Sequence, residues 1–209
     1  MWGYVPVSEK NQPVQRYGSD IRWPRLLQKE LGDAFYIIEE GLNGRTTNLN
    51  YHIPPDRNGK RYLPSCLYSH APLDLVVLAL GGNDLKLYYG RQPEDIAAGM
   101  AELIDVVQAS PYGVDMCSPP KVLLLIQGAP LPVAEQIVDE NGICLFKDSI
   151  RRVEKLAGLY RALAAQKNCY VADLSVSGVP SSIDGLHLDE DGHRRVARQM
   201  RAEILEIFR

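Results

Sequence analysis

The chain has little cysteine, no long apolar run and no excess of positive charge, and each shortage removes a class of protein. Its four cysteines, Cys66, Cys117, Cys144 and Cys169, show neither CxxC spacing nor the density of a disulfide framework, which favours free thiols in a reducing compartment. No stretch offers the uninterrupted apolar residues of a membrane helix, and the N-terminus lacks a charged-then-apolar export signal, so a cytoplasmic location is expected. A formal net charge of −3 over 209 residues gives no broad basic face for nucleic acid or an anionic membrane. No pair among the histidines has metal-ligand spacing, and neither a metal nor a cofactor is expected. There is no internal repeat and no domain boundary. With 45% hydrophobic and 23% charged residues, residues 1–209 read as a single domain with a substantial core.

What is present alternates between strand and helix patterns. Ile21–Leu31 carries apolar residues at helical spacing, with Asp20 placed to cap it and Gly32 to end it. Ala34–Ile38 is short, apolar and aromatic, the signature of a buried strand. Asn48–Pro72 is irregular, with a short helix near Tyr62–His70; His52 and His70 are read as loop. Leu73–Leu80 is nearly continuous apolar sequence ending in Gly81-Gly82-Asn83-Asp84, as in a central parallel strand buried on both faces. A helix over Pro93–Ala109, a strand over Val122–Ile126, a helix over Lys147–Gln166, a strand over Tyr170–Leu174 and a last helix over Asp189–Phe208 follow. This order argues for a parallel sheet between helices.

Chemistry is concentrated in the loops after the strands. Asp184-Gly185-Leu186-His187 can turn a carboxylate onto one imidazole nitrogen and leave the other as a base. Glycine at 44 lets a backbone N–H approach a reacting oxygen, and the Asn83 amide offers a second donor. Such loops can meet at the carboxyl ends of the strands. Trp2, Tyr4 and Trp23 line an acyl pocket or are plain core. His193 is read as exposed on the last helix, Asp84 as a local loop anchor, and Arg194, Arg195, Arg198 and Arg201 as a solvated or salt-bridged face.

These blocks resemble those of the SGNH (GDSL-type) hydrolases, most closely their arylesterase and acyltransferase branch. Trp2-Gly3-Tyr4-Val5-Pro6 is similar to the segment just after the family's nucleophile, Glu39–Thr47 to its glycine block, Gly81–Asp84 to its asparagine block and Asp184–His187 to its Asp-x-x-His block. The resemblance implies a three-layer α/β/α sandwich with a parallel, flavodoxin-like sheet. It implies His187 as general base, Asp184 as its orienting carboxylate, and Gly44 and Asn83 as the oxyanion hole. The partner it implies is a small aryl or alkyl carboxylic ester, with homo-oligomerisation left open.

The departure from the family is at the front. Met1 stands immediately before Trp2, where the family has a first strand and a Gly-Asp-Ser turn; Ser8 and Ser19 follow no apolar strand, so no nucleophile is assigned. Losing about five buried side chains at roughly 1.5 to 3 kcal/mol each would cost on the order of 10 kcal/mol. The expectation is therefore an N-terminally truncated, serine-type ester hydrolase or acyltransferase whose present chain is inactive unless the true start lies upstream. The alternative is a non-catalytic ester-, lipid- or glycan-binding or interaction protein derived from one.

Overall fold

The computed structural model describes residues 1–8, 13–51, 55–139 and 141–209; His52 lies outside them. In chain order the principal elements are α1 (Trp23–Leu31), α2 (Gly59–His70), β1 (Leu75–Leu78), α3 (Pro93–Gln108), β2 (Lys121–Ile126), α4 (Ser149–Gln166), β3 (Tyr170–Asp173) and α5 (Glu190–Ile207). The chain divides into two compact units, one of Met1–Asn43, Gln127–Ile150 and Asp173–Arg209, the other of Gly44–Ile126 and Arg151–Ala172.

The second unit is built on the sheet. Its strands follow the order β1-β2-β3, and β1 pairs in parallel with β2 from Leu75 opposite Lys121 to Leu78 opposite Leu124. A parallel sheet flanked by helices is the α/β architecture that the sequence implies. Val122–Ile126 of β2 is fully buried, which is why it reads as unbroken apolar sequence. β1 differs from the expectation of burial on both faces: only Leu78 is buried and Leu75–Val77 are half-buried. It ends the strand order, so it has one hydrogen-bonded neighbour among the described strands.

Helix α3 packs on β1 and β2, and α2 packs on α3. Pro93 occupies the first turn of α3, where its missing N–H costs nothing, and Asp95 and Gln92 close a reciprocal cap. Ile96, Met100, Leu103, Ile104 and Val107 form its buried face; at roughly 1.5 to 3 kcal/mol for each such side chain, this face dominates the helix's attachment. α2 begins three residues before Tyr62, at Gly59, because the Asn58 side chain accepts the Arg61 N–H at 3.1 Å. His70 is its last residue rather than loop.

In the first unit α1 packs against α5. Arg22, not Asp20, is the residue before α1, and the cap makes no side-chain hydrogen bond; Pro24 supplies the start instead. Gly32 ends α1 at φ 69°, a conformation costly for any residue with a Cβ. On α5, His193, Val196, Ala197, Met200 and Ile204 are buried along one stripe, and the Asp189 carboxylate caps it through the Gly192 N–H at 2.8 Å. His193 is thus corrected from exposed to buried, at 1% exposure. Its Nδ1 accepts the Trp23 backbone N–H at 3.3 Å, and Tyr17 meets its ring edge-on. Arg194 pairs with Glu190 and Asp191, while Arg195 and Arg201 donate to backbone carbonyls of Ser177, Val179 and Glu30.

Ala34–Ile38, expected as a strand, is not one. Gly32–Ala34 is a 3-10 turn, Phe35 is extended, and residues 35–38 pair with no strand among the described residues. The Gln28 side chain satisfies them, donating to Phe35 O at 2.8 Å and accepting the Ile37 N–H at 2.7 Å. An extended segment becomes a strand only by pairing, and here a side-chain amide takes the partner's place. Tyr36 consequently projects at 83% exposure.

Candidate active site

The residues singled out by sequence fall in two groups. In the first unit, Asp184 and His187 are brought together by a tight loop. Asp184 Oδ1 accepts the backbone N–H groups of Leu186 at 2.9 Å and His187 at 3.0 Å, which folds the chain back on the carboxylate. The other oxygen, Oδ2, then lies 2.7 Å from His187 Nδ1. With Nδ1–H donating to a carboxylate, Nε2 carries the lone pair. The carboxyl is pushed up by burial, but the hydrogen bonds from the His187 ring and backbone outweigh this and hold it below the ordinary carboxylate value. Asp184 is buried while the imidazole keeps 37% exposure.

The loop is fixed from below. Gly185 N donates to Ser181 O at 2.9 Å, Ser181 N to His187 O at 2.8 Å, and Leu131 N to Gly185 O at 2.9 Å. Gly185 has φ 70°, and a Cβ there would lie 2.7 Å from Val133 and 2.9 Å from Ala134 N, so glycine is required both by conformation and by space.

Tyr4 is the residue that sequence reasoning left undecided. Its ring stacks on that of His187, with centroids 4.2 Å apart and planes 27° apart. Tyr4 is held by an antiparallel bridge to Arg16 and lies near Trp2, whose ring carries the Arg16 guanidinium. Trp23, by contrast, is core. Ser8 and Ser19 are exposed turn residues.

In the second unit the structure brings Gly44 and Asn83 into one network. Gly44 is buried, at φ 79°, a left-handed conformation natural to glycine. Asn83 opens a 3-10 turn, Asn83–Leu85, and its Nδ2 donates to the carbonyl of Arg45, the residue after Gly44, at 3.1 Å. An amide nitrogen carries two hydrogens, and among the described residues Arg45 O takes one of them.

Asp84 is corrected from a local anchor to a long-range one. Its carboxylate is fully buried; Oδ1 receives Thr47 Oγ1 at 2.7 Å and Arg91 Nη1 at 2.7 Å, and the Thr47 N–H lies 3.1 Å from both oxygens. Burial pushes this carboxyl up against the pull of Thr47 and the Arg91 charge. Arg152 donates to Leu85 O and Arg91 O, each at 2.6 Å, and Tyr160 Oη to Leu80 O at 3.1 Å, bracing the same segment. The rings of Tyr51, Tyr88 and Tyr89 cluster with centroids 4.4 to 5.7 Å apart, Tyr88 and Tyr89 belonging to this segment. Thr47 is the last residue of the glycine block and Arg91 lies beyond the asparagine block, with nothing in their spacing to pair them across the chain.

Comparison with known proteins gives a consistent picture. Residues 10–195 match the model of the GDSL-like lipase/acylhydrolase family. Among solved structures, the aryl esterase of M. smegmatis is 36% identical over 98% of this chain and 94% of its own, with a TM-score of 0.85. Est24, a carbohydrate acetylesterase from Sinorhizobium meliloti, is 35% identical over 99% and 94%, with a TM-score of 0.87. A further carbohydrate acetylesterase family member from that organism is 32% identical over 98% and 92%, with a TM-score of 0.84. No curated protein sequence matches the chain.

Proposed function

The chain belongs to the GDSL-like lipase/acylhydrolase family, and from that premise we propose that it descends from serine-type esterases or acyltransferases acting on small carboxylic esters. The observation that carries this reading is the 2.7 Å pairing of Asp184 with His187, which leaves Nε2 of an accessible imidazole as a base. His187 takes the proton of a serine hydroxyl, and the oxygen attacks the ester carbonyl. Asp184 holds the tautomer and stabilises the imidazolium that results. The Gly44 N–H and the Asn83 amide stabilise the oxyanion of the tetrahedral intermediate. As that intermediate collapses, the imidazolium returns the proton to the leaving alcohol or phenol. Water or an acceptor alcohol then removes the acyl group.

Support for the substrate class comes from the relatives, which include an aryl esterase and a carbohydrate acetylesterase; small acyl groups on aryl, alkyl or sugar alcohols are the esters to try. Cys66, Cys117, Cys144 and Cys169 form no disulfide with one another, and a reducing, cytoplasmic setting is part of this proposal. Among the described residues no helix is long and apolar enough to cross a membrane.

The reading demands a serine for His187 to activate. The test is fluorophosphonate labelling of the 209-residue chain and of the product of the gene with its upstream region included. Labelling of a serine, abolished by His187→Ala, supports the esterase. Folded protein from both sources that stays unlabelled but binds esters supports the non-catalytic alternative.

A further inference from the structure

We propose that Asp84 is a positioning residue for the oxyanion donors: its buried carboxylate, gripped by Thr47 and Arg91, locks the segment carrying Gly44 to the segment carrying Asn83. This rests on the roles given above to Gly44 and Asn83.

The two segments are remote in sequence, Thr47 and Asp84 being separated by 37 residues, and they are joined at two adjacent points. Asn83 holds Arg45 O at 3.1 Å; Asp84, the next residue, holds both the N–H and the hydroxyl of Thr47. The short stretch from Gly44 to Thr47 is therefore pinned on either side of its middle, one residue and three residues after the proposed donor. Arg91 completes the grip. Its Nη1 lies 2.7 Å from Asp84 Oδ1 and 3.1 Å from Thr47 Oγ1, so a single guanidinium fixes both partners. Gly99 permits the arrangement: a Cβ there would come within 2.6 Å of Asn48 Oδ1 and closer still to Thr47 Oγ1.

An ion pair is a poor choice for cohesion alone. Removing both charges from water costs more than well-packed apolar side chains of similar volume would. What charge-assisted bonds add is direction: short contacts at fixed angles that tolerate little sliding. An oxyanion site needs that property, because its donors act only within about 2.7 to 3.1 Å of where the charge develops, and supporting contacts must hold them to about 0.5 Å. Asp84 itself touches no reacting atom in this scheme. It acts through the backbone of Gly44 and the amide of Asn83.

The experiment compares wild type, Asp84→Asn and Thr47→Val by hydrogen exchange resolved to the Gly44–Thr47 amides and by turnover of an aryl acetate. Asp84→Asn keeps the shape and removes the charge; Thr47→Val removes one hydroxyl and leaves the backbone bond, which guards against a variant that fails to fold. The expected result is exchange about tenfold or more faster at Gly44–Thr47 in Asp84→Asn, with kcat down about 10- to 100-fold and KM within about twofold, the Thr47→Val change being smaller in both. Unaltered exchange at these amides in Asp84→Asn, or an unaltered kcat beside an active wild type, overturns the positioning role and leaves the esterase reading standing. A wild type that turns over no ester, with its upstream region included, removes the oxyanion reading itself and the positioning role with it.

Discussion

The ring of Tyr4 lies 4.2 Å from that of His187 and nearly parallel to it. The imidazole is thus held twice, at Nδ1 by Asp184 and on one face by an aromatic ring. Stacked pairs contribute about 0.5 to 1.5 kcal/mol beyond buried area. Tyr4→Ala should lower kcat/KM by about 2- to 10-fold and remove the ring-current displacement of the His187 carbon-bound protons. Tyr4→Phe should preserve both. The proton spectrum decides the stacking whether or not turnover is measurable.

Asp184→Asn should leave the loop folded but allow the wrong tautomer, as an asparagine can present N–H to Nδ1. In a well-studied serine protease the equivalent change costs about 10⁴ in kcat, and a loss of about 10³ or more is expected here. The variant should also change the acid response. A carboxyl lowered by folding contributes stability above its ordinary value, and that contribution is lost as pH falls through the lowered value. Acid titration followed by circular dichroism should show this loss in wild type and not in Asp184→Asn.

His193 sets a second acid limit. Burial, with the positive amino group of Met1 and then Arg22 adding to it, lowers its imidazole from 6.5 to about 4 against an opposing pull from Asp189. Folding therefore keeps the ring neutral, and the unfolded chain binds the extra proton. Stability is full above about pH 6.5, falls as the pH drops toward about 4, and then levels off. The shift corresponds to about 3 kcal/mol. Denaturant melts across this range should show the decline in wild type and a flatter profile in His193→Gln.

Gly185→Ala should destabilise by about 2 to 4 kcal/mol. The left-handed backbone and the nearness of Val133 and Ala134 N leave no place for a methyl group. Thermal melting measures the cost. Activity should fall further than stability alone predicts, because Gly185 lies between Asp184 and His187.

How much of this was legible depended on whether the determining contact was local. The Asp184–His187 loop could be read because both partners and the turn that joins them lie within four residues. β2 and α3 could be read because burial imposes a pattern on the sequence itself. Ala34–Ile38 misled: its composition fits a strand, but pairing is a property of a neighbour, and Gln28 supplies the contacts instead. His193 misled because one helix position looks like another until the packing partner is known, here Trp23 and Tyr17. Asp84 was half seen. Its place beside Asn83 was evident, but its partners Thr47 and Arg91 are set by tertiary structure.

The Gln28 amide has a consequence for how this chain tolerates changes of length. A carboxamide is a chemical copy of a peptide unit, and here it reads Phe35 O and Ile37 N, on either side of Tyr36, as well as Gly32 O at the helix end. The span from helix to extended segment is thereby gauged by one side chain of fixed reach. A single-residue insertion or deletion between Gly32 and Phe35 would present the wrong carbonyl to that gauge, whereas a substitution at the outward-facing Tyr36 would pass unread. Natural variation at this junction should therefore run to changes of residue type rather than of residue number.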